Sequence, residues 1–262
     1  MAGPQIRFED GAAYERMMGV WSRLAGEVFL DWLAPPSGWR WIDVGCGSGA
    51  FTQLVVERCT PAEVQGIDPS DAQLAYARSR GVAHVAQFHV GDALALPFPG
   101  NRFDVAVMAL VVFFVPDPEM GVAEMARVVR PGGIVASYTW DILHGGFPNE
   151  PLMASMRETG RPPPLPPSAA ASEMDALETL WAGAGLDEIE SKEITVWRTF
   201  RDFDGFWSTS TLGTNVRAMI AGMSAREIED AQSRARKHVT VDPSGTITCK
   251  ARANAIKGRV SV

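Results

Sequence analysis

The chain has 262 residues, 46% of them hydrophobic, which is enough for one large or two small domains around a sizeable buried core. Its formal net charge of −7 argues against a nucleic-acid-binding surface, because such a surface needs a basic face. The three cysteines stand at no metal-ligand spacing and indicate neither a disulfide framework nor a metal site, so we expect a reducing, cytoplasmic setting.

The first predicted element is an amphipathic helix over residues 12–33. Apolar side chains recur in it at helical spacing, Met17 and Trp21 among those expected in the core, and the segment APPSG at 34–38 ends it. The N-terminal segment lacks the basic-then-apolar profile of a secretion signal. The longest apolar run, Val105 to Val115, is too short to span a bilayer, so no membrane partner is expected.

Predicted strands and helices alternate from residue 40 to residue 140. The strands are RWIDVG, EVQGID, HVAQFHV, FDVAVMAL and GIVASYTW, and the helices are AFTQLVVERC, PSDAQLAYARS and PEMGVAEMARVV. Ser70 is the expected cap of the second of these helices, with Gln73 three residues later. This alternation predicts a parallel sheet with helices on both faces, joined by right-handed crossovers.

Beyond Trp140 the alternation stops. A proline-rich loop at 161–172 precedes a helix and a long strand over about 173–200. Residues 202–238 are predicted to be mostly helical, and residues 246–260 form the expected last strand.

The segment GCGSG places three glycines, at 45, 47 and 49, directly after the first strand. In a doubly wound sheet, ligands bind outside the carboxyl ends of the strands, and a helix N-terminus there offers unpaired N–H groups to an anion. Asp68 ends the second strand, where its carboxylate can accept hydrogen bonds from both hydroxyls of a ribose. The pattern therefore predicts a site for an adenosine-type nucleoside.

Two classes of nucleotide-binding protein share this glycine pattern. GCGSGA matches the G-x-G-x-x-[GA] fingerprint of dinucleotide-binding proteins. With Asp43 two residues ahead, it also resembles D-x-G-x-G-x-G, the first motif of the class I S-adenosylmethionine-dependent methyltransferases. The Tyr-x-x-x-Lys motif of short-chain dehydrogenases is missing at Tyr76, because Arg80 stands at the lysine position.

The succession of motifs resembles the class I S-adenosylmethionine-dependent methyltransferases, especially the small-molecule group that includes the ubiquinone and menaquinone methyltransferases. The residues that carry the resemblance are GIDPS at the second strand, the segment from GDALALPF to VVRPGG, and the aromatic-rich fifth strand. The resemblance covers residues 40–140 closely and extends to the leading helix at 12–33. Beyond residue 141 it is only architectural.

The resemblance implies a Rossmann-like, doubly wound α/β fold. Its sheet would have seven strands, mostly parallel with an antiparallel last strand, in a single domain over 1–262 that also carries helical lid segments. The implied function is methyl transfer from S-adenosylmethionine to a small organic acceptor. A cofactor sensor without transferase activity and an NAD(P)-linked oxidoreductase are the alternatives.

By the same resemblance, residues 40–140 form the cofactor core and the leading helix folds over it. The methionine part would lie on the glycine turn above Asp43, the ribose on Asp68 and the adenine beside Asp92, while Arg23 would meet the cofactor carboxylate. Cys46 is expected to be a small turn residue without a nucleophilic role. The predicted cofactor-binding set is Tyr14, Met18, Arg23, Asp43, Gly45, Cys46, Gly47, Gly49, Asp68, Pro69, Ser70, Gln73, Gly91, Asp92, Ala93, Ala109, Leu110 and Val111.

Acceptor specificity is predicted to lie in the segments 141–167 and 202–238, because the strand ends are occupied by the cofactor. An apolar lid over an apolar or flat acceptor with few charges is expected from the aromatic residues Trp140, Phe147, Phe203, Phe206 and Trp207. His144 and Asp141 follow the fifth strand and are the candidates for a general base, which is needed only if the acceptor must lose a proton.

Overall fold

The computed structural model describes residues 15–262, so Tyr14 of the predicted cofactor set lies outside the described residues. The strands in this part of the chain are β1 (Arg40–Val44), β2 (Glu63–Asp68), β3 (Ala86–Val90), β4 (Phe103–Ala109), β5 (Val129–Trp140), β6 (Leu186–Phe200), β7 (Thr240–Val241) and β8 (Ile247–Val260). The α-helices are α1 (Val20–Leu33), α2 (Ala50–Cys59), α3 (Asp71–Ser79), α4 (Pro118–Val128), α5 (Glu150–Glu158), α6 (Met174–Gly183), α7 (Phe203–Ser210), α8 (Thr214–Ala221) and α9 (Ala225–Lys237). A π-helical turn at Glu15–Gly19 leads into α1, and 3-10 turns lie at Val112–Phe114 and Ala169–Ser172.

The main strands form one sheet in the order β3-β2-β1-β4-β5-β8-β6, and the two-residue β7 pairs with β8 at its margin. The strands β1 to β5 pair in parallel, whereas β8 runs antiparallel to both β5 and β6. The prediction of a mostly parallel, doubly wound sheet with an antiparallel last strand is confirmed. The strand order reverses between β1 and β4, so their carboxyl ends flank the crevice in which such sheets bind ligands.

Helices cover both faces of the sheet. In β4 every residue from Phe103 to Met108 is buried, as expected for a parallel strand covered on both sides. One face packs in an apolar cluster with α1 and α2 that includes Trp21 and Leu54. The other face packs with α4 and α6 in a second cluster that includes Met125. The carboxyl edge of the sheet lies between these two layers and remains the place for a site.

Helix α1 runs antiparallel to β5, with its first turn at the carboxyl edge. At that end Arg198, in the part of β6 that extends past β5, donates to the carbonyl of Met17 at 3.0 Å. At the other end the Lys257 ammonium lies 4.6 Å from the ring centre of Trp32, and Lys257 pairs with Ala136 inside β5. The beginning of α1 therefore stands over the strand ends.

The two segments predicted as a lid contain helices that pack against each other. Ser155 Oγ of α5 donates to the carbonyl of Ala231 of α9 at 2.8 Å, across 76 positions of sequence. Around this contact, Leu152, Met156 and Met223 form a small apolar cluster with Ala231. Among residues 15–262, no helical segment combines the length and the apolar character that a bilayer crossing requires.

Candidate functional site

The glycine turn between β1 and α2 is a backbone feature that only glycine adopts at low cost. The φ angles of Gly45, Gly47 and Gly49 are 76°, 51° and 75°, all in the left-handed region. The N–H groups of Gly45 and Cys46 both donate to the carbonyl of Ile67, at 2.7 and 2.9 Å, which ties the turn to the end of β2. The turn is thus fixed at the crevice between β1, β2 and β4.

The three glycines differ in what surrounds them. A Cβ at Gly45 would lie 2.5 Å from Val111 Cγ1, and a Cβ at Gly49 would lie 3.0 Å from Ala77 Cβ. A Cβ at Gly47 would meet nothing nearer than the Gly45 carbonyl at 4.0 Å. Gly45 and Gly49 therefore allow close packing within the protein, whereas Gly47 presents bare backbone to open space.

Asp68 joins the glycine turn to the helix that follows β2. Its Oδ2 accepts from the Gly47 N–H at 2.9 Å, and its Oδ1 accepts from the Ser70 N–H at 2.8 Å. Burial raises the pKa of Asp68, while these two hydrogen bonds act in the opposite direction. Ser70 Oγ accepts from the Gln73 N–H at 3.4 Å, which confirms the predicted cap of α3. Pro69 lies exposed between them.

Asp43 lies beneath the glycine turn and is buried. Its Oδ2 accepts from Thr52 Oγ1 at 2.6 Å, whereas its Oδ1 is buried and has no partner among the described residues. Burial raises the pKa of Asp43 to about 7, against the hydrogen bond from Thr52, and the nearby charge of Asp68 adds to the rise. Gln73 Oε1 is a second buried acceptor for which the described part of the chain offers no partner. Two unpaired acceptors near the turn fit a ligand that donates hydrogen bonds.

Cys46 fills space inside the turn. Its side chain is buried, and a Cβ at Gly66 would lie 2.9 Å from its Sγ. Burial raises the pKa of this thiol well above its usual range, so it stays protonated and unreactive at neutral pH. The structure therefore gives Cys46 no nucleophilic role.

The remaining strand ends complete the edge. The Gly91 N–H donates to the Asp68 carbonyl at 3.2 Å, and the exposed Asp92 accepts from the Leu94 N–H at 2.9 Å. Ala93 and Ala109 are half-buried beside these ends. Leu110 has a φ of 63°, which a bulky residue rarely adopts. Its N–H donates to the Tyr138 carbonyl at 2.8 Å, so pairing with β5 holds the strained conformation.

On α1, the structure does not support the predicted cofactor contact of Arg23. Its guanidinium lies 3.0 Å from a carboxylate oxygen of Glu57 and 3.1 Å from one of Glu27. Glu57 lies seven residues into α2, about 10 Å along the helix from the glycine turn. Met18, by contrast, is buried in the apolar cluster beneath the carboxyl edge.

Asp141 and His144, the predicted general-base candidates, belong to an ion-pair cluster. The Arg252 guanidinium binds Asp141 Oδ2 through Nη2 and through Nε, the latter at 3.0 Å. The other oxygen of Asp141 lies 3.0 Å from His144 Nδ1, and Glu173 lies 3.6 Å from His144 Nε2. Both oxygens of Asp141 are occupied, so the structure does not support Asp141 as a base, and His144 is the remaining candidate.

The five predicted lid aromatics divide into two groups. Trp140, Phe203 and Phe206 are buried in the apolar cluster shared with α1 and α2, so they are core residues and not an open lid. Phe147 and Trp207 are only partly buried.

Sequence reasoning placed Trp21 in the core and gave it no role in a site. Trp21 is fully buried in α1, yet its indole N–H has no hydrogen-bond partner among residues 15–262, and the same is true of Trp140. Helical periodicity reports which face of α1 is apolar but says nothing about whether a buried donor is paired, so no signal in the sequence reveals this property.

Comparison with known proteins supports the resemblance drawn from the motifs. The family described as "Methyltransferase domain" matches residues 42–137. A ubiquinone/menaquinone biosynthesis C-methyltransferase of Dinoroseobacter shibae is 35% identical over 121 residues, which are 45% of this chain and 48% of that protein. A sterol 24-C-methyltransferase of Pneumocystis carinii is 28% identical over 197 residues, which are 66% of this chain and 50% of that protein.

Solved structures show the same fold. Phosphoethanolamine N-methyltransferase 2 of Haemonchus contortus, solved with S-adenosyl-L-methionine, superposes with a TM-score of 0.59 at 18% identity, over 95% of this chain and 56% of that one. The chain spans about half the length of the two sequence relatives it matches. The predicted resemblance to class I methyltransferases is confirmed by the family match, the relatives and the fold.

Proposed function

We propose that this chain, which resembles the class I S-adenosylmethionine-dependent methyltransferases in sequence and fold, transfers a methyl group from S-adenosylmethionine to a small organic acceptor. The observation that carries the proposal is the pair formed by Gly47 and Asp68 at the reversal of strand order. Gly47 offers bare backbone facing open space, and Asp68 bonds to its N–H from the end of the next strand.

The hydrogen-bond acceptors at this edge fit the donors of S-adenosylmethionine. That molecule carries an ammonium group and two ribose hydroxyls, all of which donate hydrogen bonds. In the proposal the ribose lies on Asp68, whose oxygens accept from the backbone N–H groups of Gly47 and Ser70. The unpaired oxygens of Asp43 and Gln73 supply acceptors for the remaining donors. Gly91, Asp92 and the backbone after β4 remain the predicted boundaries of the adenine and methionine ends.

In this reaction the main task of the protein is to position the two reactants. S-adenosylmethionine supplies a methyl group that is already activated for displacement. The chain has to align the acceptor with that methyl group and to exclude water, which is the larger part of such catalysis. The fixed turn at Leu110 and the partly buried aromatic side chains of Phe147 and Trp207 are suited to both tasks. His144, oriented by Asp141, is the described base candidate if the acceptor must lose a proton.

The acceptor is proposed to be a small, mostly apolar molecule methylated at carbon. Both sequence relatives carry names of carbon methyltransferases, and the predicted lid is rich in aromatic residues. In this proposal residues 40–140 form the cofactor core, and the segments 141–167 and 202–238 cover the acceptor. The net charge of −7 gives no reason to propose a nucleic-acid partner, and the cytoplasmic setting stays a prediction from the cysteines.

Ligand-induced stabilisation separates this proposal from its alternatives. S-adenosylhomocysteine should raise the melting temperature of the protein, whereas NAD should not, because only a ligand of the folded state stabilises it. An NAD(P)-linked oxidoreductase predicts the reverse order. A sensor predicts the same stabilisation but no labelled product when a metabolite extract is incubated with labelled S-adenosylmethionine.

The role of Asp68 is tested by calorimetric titration of S-adenosylhomocysteine. Asp68→Ala should weaken binding by about 2–3 kcal/mol, the scale of hydrogen bonds to a charged group. Asp71→Ala is the matched control, because it removes the same charge from the exposed first turn of α3. Equal affinity in the Asp68 variant and the wild type would contradict the assignment of the ribose to Asp68.

A further inference from the structure

Arg80, the residue directly after α3, binds the middle of the glycine turn. Its Nε donates to the Ser48 carbonyl at 2.5 Å, and its Nη2 donates to Ser48 Oγ at 3.4 Å. Ser48 is buried and lies between Gly47, whose backbone faces open space, and Gly49. A charged donor forms a stronger hydrogen bond than a neutral one, so this contact holds the turn in place.

The turn needs such a contact because both neighbours of Ser48 are glycines in the left-handed region. The φ angles of Gly47 and Gly49 are 51° and 75°. Glycine adopts positive and negative φ angles with similar ease, so its backbone has many alternatives to this conformation. A side chain that fixes Ser48 restricts the backbone on both sides of it.

Helix α3 contacts the turn at both of its ends. Asp68, which precedes the helix, accepts from the Gly47 N–H at 2.9 Å. Ala77, in the last turn of the helix, lies so close to Gly49 that a Cβ there would be 3.0 Å from the Ala77 Cβ. Arg80 adds a contact with the residue between these two glycines. Three consecutive residues of the turn are therefore held from one helix and its flanking residues.

Further contacts fix the direction of the Arg80 guanidinium. Its Nη1 donates to Gln53 Oε1 of α2 at 2.7 Å, and its Cζ lies 5.2 Å from the ring centre of Tyr76. Gln53 Nε2 donates in turn to Glu57 Oε1 at 2.8 Å, and Arg23 of α1 donates to Glu57 Oε2 at 3.0 Å. This chain of side chains connects the leading helix to the glycine turn.

We propose that Arg80 is a positioning residue for S-adenosylmethionine, whose guanidinium holds Ser48 so that the Gly47 backbone keeps the conformation that the cofactor binds. This inference rests on the proposed function and deepens it. Arg80 acts through Ser48 and not by contact with the cofactor. If the turn takes other conformations, only the competent fraction binds, and the apparent dissociation constant rises by the inverse of that fraction.

Arg78 provides the matched control, because it lies two residues earlier and makes the same kind of contact elsewhere. Its guanidinium donates to the main-chain carbonyl of Phe88 in β3 at 3.0 Å. Arg78→Met therefore removes the same charge and the same type of hydrogen bond, but it removes no contact of Ser48.

Calorimetric titration of S-adenosylhomocysteine gives the first measurement. Arg80→Met keeps the length of the side chain without its donors and should weaken binding about tenfold, which corresponds to a competent fraction of about one tenth. Arg80→Lys keeps the charge and a donor for the Ser48 carbonyl, so its loss should be about threefold. Arg78→Met should stay within about twofold of the wild type. The loss in Arg80→Met should persist in about 0.5 M sodium chloride, because salt screens long-range attraction.

The conformation of the turn is measured separately by two-dimensional NMR of ligand-free protein labelled with ¹⁵N-glycine. The chain has 25 glycines, and Gly47→Ala and Gly91→Ala identify the two signals of interest. In Arg80→Met the Gly47 amide proton should move upfield, because its hydrogen bond to Asp68 weakens. Saturation with S-adenosylhomocysteine should bring it to its position in the ligand-bound wild type. The Gly91 signal, whose N–H donates to the Asp68 carbonyl, should stay unmoved.

An equal loss of affinity in Arg78→Met and Arg80→Met would assign the effect to α3 as a whole and would overturn the proposal. A loss that disappears at high salt, or a Gly47 signal that does not move, would overturn it as well. Arg80→Lys carries the same comparisons if Arg80→Met does not fold. If S-adenosylhomocysteine fails to bind the wild type, the proposed function fails first, whereas normal binding by Arg80→Met contradicts only the role of Arg80.

Discussion

At the scale of single residues, the three glycines between β1 and α2 have two different roles. Two of them allow close packing within the protein, and one leaves its backbone open to a ligand. All three glycines have left-handed φ angles, so any other residue is strained there. Their surroundings differ, because Gly45 and Gly49 are covered by Val111 and Ala77 whereas Gly47 faces open space. The same substitution is therefore expected to have different consequences at neighbouring positions.

We expect Gly47→Ala to weaken S-adenosylhomocysteine binding at least tenfold and to lower the free energy of unfolding by about 1–2 kcal/mol, the cost of a left-handed L-residue. Gly49→Ala carries the same strain and adds a Cβ contact of 3.0 Å with Ala77, so it should destabilise the fold more. Calorimetry and urea unfolding measure the two effects. A Gly47→Ala protein that binds normally would show that the ligand does not approach this backbone.

Asp43 makes the free energy of unfolding fall as the pH rises, whereas an Asp with a lowered pKa would make it increase. Its pKa rises from 3.8 to about 7 on folding, so the folded state holds the proton more tightly than the unfolded state. The stability associated with that proton is fully present below about pH 4 and is lost as the pH rises through about 7. A pKa change of this size corresponds to about 4 kcal/mol.

Urea unfolding between pH 4 and pH 8 tests this expectation on the protein without ligand. The free energy of unfolding of the wild type, relative to that of Asp43→Asn, should fall by up to about 4 kcal/mol across this range. The asparagine variant cannot titrate at this position. Its free energy of unfolding therefore follows the pH dependence of the other groups and serves as the reference for the wild type. A difference that stays constant with pH would mean that Asp43 is ionised throughout.

At the scale of elements, an ion pair connects the end of β5 to β8. Asp141 binds Arg252 through its side chain, and its N–H donates to the Arg252 carbonyl at 3.0 Å. A Cβ at Gly146 would lie 2.7 Å from that carbonyl, so the loop after β5 has little room to change. His144 is held in position through the contact of its Nδ1 with Asp141.

Asp141→Ala is expected to lower the free energy of unfolding by about 3 kcal/mol, because it leaves the partly buried Arg252 without its partner. Asp31→Ala removes an exposed pair with Arg58, whose side chains are 66% and 40% exposed, and should cost less than about 1 kcal/mol. Urea unfolding of both variants gives the comparison. Equal losses would show that the Asp141 pair behaves as a surface pair.

At the scale of the whole molecule, the sheet and the two segments after residue 141 meet at Trp207. This residue packs against the main apolar cluster and also against the small cluster of α5, α8 and α9. Its ring stacks on Phe203 with centres 6.1 Å apart. Trp207 therefore lies where the proposed cofactor core meets the helices that are proposed to cover the acceptor.

We expect Trp207→Ala and Phe147→Ala to leave S-adenosylhomocysteine affinity within about twofold, a change of about 0.4 kcal/mol. Each should reduce turnover of any acceptor found by labelled-methyl screening, because the acceptor loses aromatic contact area. Calorimetry checks the first expectation. A tenfold loss of cofactor affinity in either variant would place that residue in the cofactor pocket and contradict the proposed division.

The sequence by itself determined the parallel sheet, the glycine turn, Asp68 at the end of β2 and the Ser70 cap, because alternation, turn chemistry and capping are local patterns. Only the tertiary structure decided which glycine faces open space, since Val111 and Ala77 come from distant segments. The tertiary structure likewise pairs Arg23 with Glu57 and Asp141 with Arg252, and within residues 15–262 it gives the indole N–H groups of Trp21 and Trp140 no acceptor. These properties depend on contacts between residues far apart in the chain, which periodicity and motif spacing do not record.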